Sequence, residues 1–148
     1  MANFIGLDKG YPVLPTYNSS AAAGVLAFRC VKYSVSSSIG YIDIQAVNTA
    51  GNLVLGIVQE NIDATKVATG KAIANVRIGG ISKVLVTTGT SIVLGSRVMA
   101  STGGGVILAT GATAQLTGFV VGMSVPGGTV AANDLIDVYL TPAVQFGA

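Results

Sequence analysis

The stretch from residue 79 to residue 108, Gly79-Gly-Ile-Ser-Lys-Val-Leu-Val-Thr-Thr-Gly-Thr-Ser-Ile-Val-Leu-Gly-Ser-Arg-Val-Met-Ala-Ser-Thr-Gly-Gly-Gly-Val-Ile-Leu108, constrains the fold most. Short runs of β-branched and aliphatic residues are cut by glycine turns, and Lys83 and Arg97 are its only charges. A helix needs a sustained 3.6-residue stripe, and none is present here. Such a segment packs as short strands, and it offers no group suited to catalysis.

The same pattern extends along most of the chain. Residues 29–35 alternate, with Val31, Tyr33 and Val35 on one face, and residues 41–47 repeat the period with Ile42, Ile44 and Ala46. Thr49-Ala-Gly-Asn52 has turn chemistry ahead of residues 53–58, so a hairpin is expected there. Residues 71–78 alternate again, and Gly79-Gly80 predicts a break or bulge before residues 83–87. Gly103-Gly-Gly105 predicts a turn between residues 97–100 and 106–109, and residues 118–125 and 134–141 supply the last strands. Helical propensity is confined to residues 20–27 and 109–116, neither with a sustained stripe. The expected fold is all-β and mainly antiparallel, a small sandwich or barrel of about eight to ten short strands.

Residues 1–24 stand apart. Phe4, Tyr11, Pro12, Val13, Pro15 and Tyr17 punctuate a segment in which the prolines oppose both a helix and a central strand. It reads as an extended arm, with these residues as candidate anchors on another surface, followed by a β-rich domain over residues 25–148 with a short C-terminal tail. One domain of ordinary size accounts for 148 residues.

Charge is scarce. Lys, Arg, Asp and Glu make up 9% of the chain, where about 25% is usual for a soluble domain, while hydrophobic residues reach 51%. A folded chain of this size exposes on the order of 7,000 Å², which eight basic and six acidic side chains cover only in part. A neutral Ser/Thr surface, or coverage by other subunits, must supply the rest. Tyr33, Tyr41, Phe119 and Tyr139 are the candidate contacts at such an interface. Basic residues occur singly, without the runs that mark a nucleic-acid or membrane-surface patch. No apolar segment reaches the roughly 18 residues of a membrane span. The opening residues lack the basic and apolar regions of a signal peptide, so synthesis in the cytoplasm is expected. Cys30 is the single cysteine and is read as a buried, inert thiol.

The chemistry of catalysis is absent in specific ways. The chain has no histidine, which removes Ser-His and Cys-His catalysis and the usual zinc sites. Gly122-Met-Ser-Val-Pro126 resembles a nucleophile elbow, but Pro126 replaces its second glycine and nothing activates Ser124. Thr69-Gly-Lys-Ala72 echoes the end of a phosphate loop, yet Thr65 stands where the first glycine belongs, and Ala72 has no hydroxyl for magnesium. Glu60 with Asp63, and Asp134 with Asp137, suit solvated loops and strand ends. Neither an enzyme nor a cofactor is expected.

The order of elements resembles a known family. Phe28-Arg-Cys-Val-Lys-Tyr-Ser34, Gly56-Ile-Val-Gln-Glu60, the run from Gly70-Lys-Ala to Val-Leu-Val86, Gly95-Ser-Arg-Val98, Gly105-Val-Ile107, Val121-Gly122 and Asp134-Leu-Ile-Asp-Val-Tyr-Leu140 are similar, in sequence order and spacing, to the capsid decoration (cement) proteins of tailed bacteriophages. The resemblance covers about residues 25–141 and leaves out residues 1–24 and 142–148. It implies a small β domain on the outer surface of the assembled head, commonly a homotrimer, that binds the major capsid protein and strengthens the shell. It implies no catalytic residues; the scattered charges and the lack of an apolar span separately argue against a nucleic-acid or membrane partner. The competing class is a carbohydrate-binding or adhesive β-module of a head fibre or attachment protein. The lack of Trp and an aromatic share of 6% weigh against that class.

Overall fold

The computed structural model describes residues 6–13, 24–33, 44–47, 53–88, 92–110, 116–123 and 130–140. In chain order these contain β1 (Leu7–Pro12), β2 (Cys30–Tyr33), β3 (Ile44–Ala46), β4 (Gly56–Val58), α1 (Ala64–Ala68), β5 (Ile73–Leu85), β6 (Arg97–Ala100), β7 (Val106–Leu108), β8 (Leu116–Met123) and β9 (Leu135–Leu140). The strands join in one sheet ordered β3-β2-β4-β5-β9-β8-β6-β7, with β1 also on β5. Every pairing between these strands is antiparallel. The all-β architecture expected from the alternation is the one observed.

β5 organises the sheet. Its first half pairs with β1 and β4 and its second half with β9. The partner changes at Gly79-Gly80, where Gly80 has φ +79° and β1 carries a register shift between Leu7 and Asp8. Of the break or bulge expected at this glycine pair, the bulge is what forms: Leu7 faces Gly79 and Asp8 faces Arg77, so Ile78 is the extra residue and the strand bends there without breaking. At each end the sheet curls back onto itself. A parallel bridge from Val13 to Ile44 returns β3 to the residue after β1, and one from Val86 to Val106 returns β7 to the residue after β5. The result is one curled sheet of half-barrel form, with a bridge at each end drawing the outermost strand back towards β5.

Each half has its own core. Tyr11, Val13, Val31, Ile44, Val58, Val67 and Val76 pack in the first. Cys30, Ile57, Val84, Val98, Val120, Ile136 and Val138 pack in the second. β2 and β4 form the common wall, because successive side chains on a strand point to opposite faces. Val31 and Val58 enter the first core while Cys30 and Ile57, register partners on the same two strands, enter the second. A strand buried on both faces has no polar alternation to show, which is why Gly56-Ile-Val58 reads as a short apolar run.

Two expectations are corrected. β3 and β4, the described strands within residues 41–47 and 53–58, are not hairpin partners, since they lie on opposite sides of β2; residues 41–43 lie outside the described residues. The connecting residues 48–52 lie outside the described residues. Of the stretches with helical propensity, residues 20–23 and 111–115 lie outside the described residues; among the described ones, residues 24, 26, 109 and 110 carry no regular structure, Val25 bridges Ile62, and residue 116 begins β8. α1 instead follows Asp63, whose carboxylate accepts the Thr65 N–H at 2.8 Å as an N-cap. It buries Val67 in the first core.

Candidate interaction surface

The outward face of the second half carries apolar side chains where polar ones are usual. Along β9 alternate residues Ile136, Val138 and Leu140 point into the core, leaving Leu135, Asp137 and Tyr139 outside. On β8, Val120 is buried between the exposed Phe119 and Val121. Phe119 and Tyr139 are direct register partners, Tyr139 is also paired with Ile81, and Phe119 with Arg97. A row Arg97–Phe119–Tyr139–Ile81 thus crosses four strands. Phe119, Tyr139 and Val121 are 37%, 43% and 47% exposed. Val121 is the extra residue of a register shift between Val120 and Gly122, and such a bulge re-aims a side chain. Gly118 makes the close approach of β8 to β9 possible, because a Cβ there would run into the Tyr139 carbonyl oxygen.

The face is nearly neutral. Lys83 Nζ donates to Asp137 Oδ1 at 3.1 Å across the β5–β9 ladder. Arg97 has no ion-pair partner among the described residues, so it is the uncompensated charge of the row.

Of the four residues expected at an interface, Phe119 and Tyr139 are brought together. Tyr33 lies elsewhere, its ring 6.4 Å from that of Tyr11 in an edge-on contact. Partial burial, with Tyr11 beside it, raises the Tyr33 pKa. Tyr41 is outside the described residues. Arg97, Ile81 and Val121 were missed by sequence reasoning. The alternation in Phe119-Val-Val121 was the available signal for the last of these.

Of the six residues read as arm anchors, Phe4, Pro15 and Tyr17 lie outside the described residues. Pro12 is half-buried at the end of β1, while Tyr11 and Val13 are buried in the first core. Lys9 Nζ sits 5.8 Å from the centroid of the Tyr11 ring. The apolar surface of Tyr11 and Val13 is therefore already covered by this chain.

A shallow groove of about 590 Å³ lies between α1 and the start of β5, lined by Glu60, Asn61, Asp63, Lys66, Lys71 and Ile73. Its polar groups serve the fold. Glu60 accepts the Asn75 N–H at 2.9 Å, Asn61 accepts the Ala27 N–H at 2.8 Å, and the Thr69 hydroxyl donates to the Lys66 carbonyl at 2.6 Å. Asp63 caps α1, and the hydrogen bonds it accepts from the Thr65 N–H and hydroxyl lower its carboxyl pKa. Thr69 and Gly70 close α1, which accounts for the echo of a phosphate loop. Asp134 accepts the Ala131 N–H at 2.9 Å. Among the described residues no cluster of His, Cys, Asp and Glu could hold a metal, and no helix is long and apolar enough to cross a membrane.

No protein-family model matches the chain, and neither does any curated protein. Among solved structures, the N base of head fibre gp8.5 in bacteriophage phi29 is similar at TM-score 0.61, over 97% of this chain and 100% of that one. The fold resembles a phage head-fibre base. Sequence identity is 12%, so the likeness is one of architecture.

Proposed function

We propose that this protein is a structural component of a tailed-phage virion. It sits on the outer surface of the assembled head, binds the major capsid protein as a homotrimer, and stiffens the shell by bridging neighbouring subunits. The observation that carries the reading is the full-length fold likeness to a phage head-fibre base, found in a chain whose element order resembles decoration proteins. The scarcity of charge agrees with it, since few ions need desolvation at the contacts. Three weak contacts made by one trimer reinforce each other, because the second and third become intramolecular.

The fold likeness favours a second reading on its own account: the chain is a carbohydrate-binding or adhesive β-module of a head fibre. Both readings place the protein outside the shell, and a glycan array separates them, with binding expected only for an adhesive module. The shared reading is tested by protease digestion and immunogold labelling of purified virions. Labelled, accessible protein on the head is the expected result; absence from washed virions would overturn both.

A further inference from the structure

We infer that the β8–β9 outer face, centred on Phe119 and Tyr139, is the surface that docks on the head, and that it receives a small apolar loop of the coat lattice carrying a carboxylate. The inference rests on the head-surface reading and adds to it the face and the chemistry of the partner.

Two features select the occupant. The first is area. Four strands spaced about 4.8 Å apart, each presenting about five residues at about 3.3 Å rise, give a face of about 300 Å². A stable pairwise complex buries about 800 Å² on each partner. The face is therefore too small to hold one soluble partner tightly, but it suits a lattice that offers the same contact several times to one assembly. The second is charge. Lys83 and Asp137 neutralise each other, and Arg97 at the end of the row is left to meet a carboxylate at the rim of an aromatic centre. Tyr11 and Val13 cannot serve this purpose while they fill the first core.

The test is binding to heads assembled without this chain, read by co-sedimentation over a concentration series. The probes are the wild-type protein, the double variant Phe119→Ser/Tyr139→Ser, Arg97→Glu, and a control, Ile73→Ser, at an exposed position on the first half. With folding checked by circular dichroism, the double variant is expected to bind at least about tenfold more weakly. Arg97→Glu leaves the core untouched and keeps the test valid should the double variant fail to fold. It is expected to weaken binding several-fold and to change its salt dependence, while Ile73→Ser binds as wild type does. If wild type binds and both face variants bind equally well, the inference is overturned while the head-surface reading stands. If wild type itself does not bind, the head-surface reading fails. If light scattering shows that the double variant has lost self-association, the face belongs between copies and the inference is overturned.

Discussion

Asp8 of β1 and Arg77 of β5 are joined at two points, Oδ1 to Nε at 2.7 Å and Oδ2 to Nη2 at 3.0 Å, from register-opposed positions. The third guanidinium nitrogen donates to the Ile81 carbonyl at 3.0 Å. One side chain thus fastens β1 to β5 and spans the bend at Gly79-Gly80. The Arg77 hydrogen bond holds the Asp8 carboxyl below its usual pKa, against a smaller opposing effect of burial. A carboxyl with a lowered folded pKa contributes its stability above the unfolded value, near 3.9, and loses it as pH falls through the folded one. Asp8→Asn is expected to cost up to about 1 kcal/mol at neutral pH, as for a partly exposed pair. In urea titrations the cost should shrink as pH falls below the unfolded value and through the lowered folded one; a difference that stays unchanged as the solution is acidified would contradict the assignment.

Ile57 and Val58 sit side by side on the shared wall but serve different cores. Ile57→Ala should cost about 2–5 kcal/mol, as for other fully buried large-to-small changes. Because β2 and β4 belong to both halves, melting followed by near-UV and far-UV signals should remain one coincident transition. Separate transitions would show that the halves fold independently.

Burial pushes the Cys30 thiol up to about 12. Native protein should not react with an aromatic disulfide reagent at pH 8, and urea should release one thiol per chain. The sign of the linkage is opposite to that of Asp8. The contribution is whole below the unfolded thiol pKa, near 8.5, and is lost as pH rises from there towards the folded value. Alkaline destabilisation should therefore be shallower in Cys30→Ala.

Gly95 and Gly104 both have positive φ, +81° and +82°, but differ in surroundings. A Cβ at Gly95 would meet nothing within 4 Å, whereas one at Gly104 would lie 2.9 Å from the Cys30 carbonyl oxygen. Gly95→Ala should cost about 1 kcal/mol of backbone strain, and Gly104→Ala clearly more, measured by chemical denaturation. Equal costs would mean that the turn moves away from β2 freely.

The strands were legible because hydrophobic alternation is a local property, as in residues 71–78 and 134–141 of the sequence. Their order was not. Pairing of β2 between β3 and β4 depends on which cores Val31 and Cys30 enter, a choice made by contacts distant in sequence. α1 has five residues, too few to show a helical stripe, and only the capping Asp63 announced it. Phe119 and Tyr139 could be singled out as aromatics. Their pairing across β8 and β9, and the addition of Arg97 and Ile81, follow from register, which no local pattern encodes. Tyr11 and Val13 looked free because a strand docked at an edge has the composition of an arm.

The most direct measurement of the central claim is saturation binding of the purified chain to heads assembled without it, with bound copies counted per head. Saturation is expected at a fixed, symmetric number of copies in multiples of three, with heads that resist heat better once filled. Absence of binding at micromolar concentration, or uptake that never saturates, would contradict it.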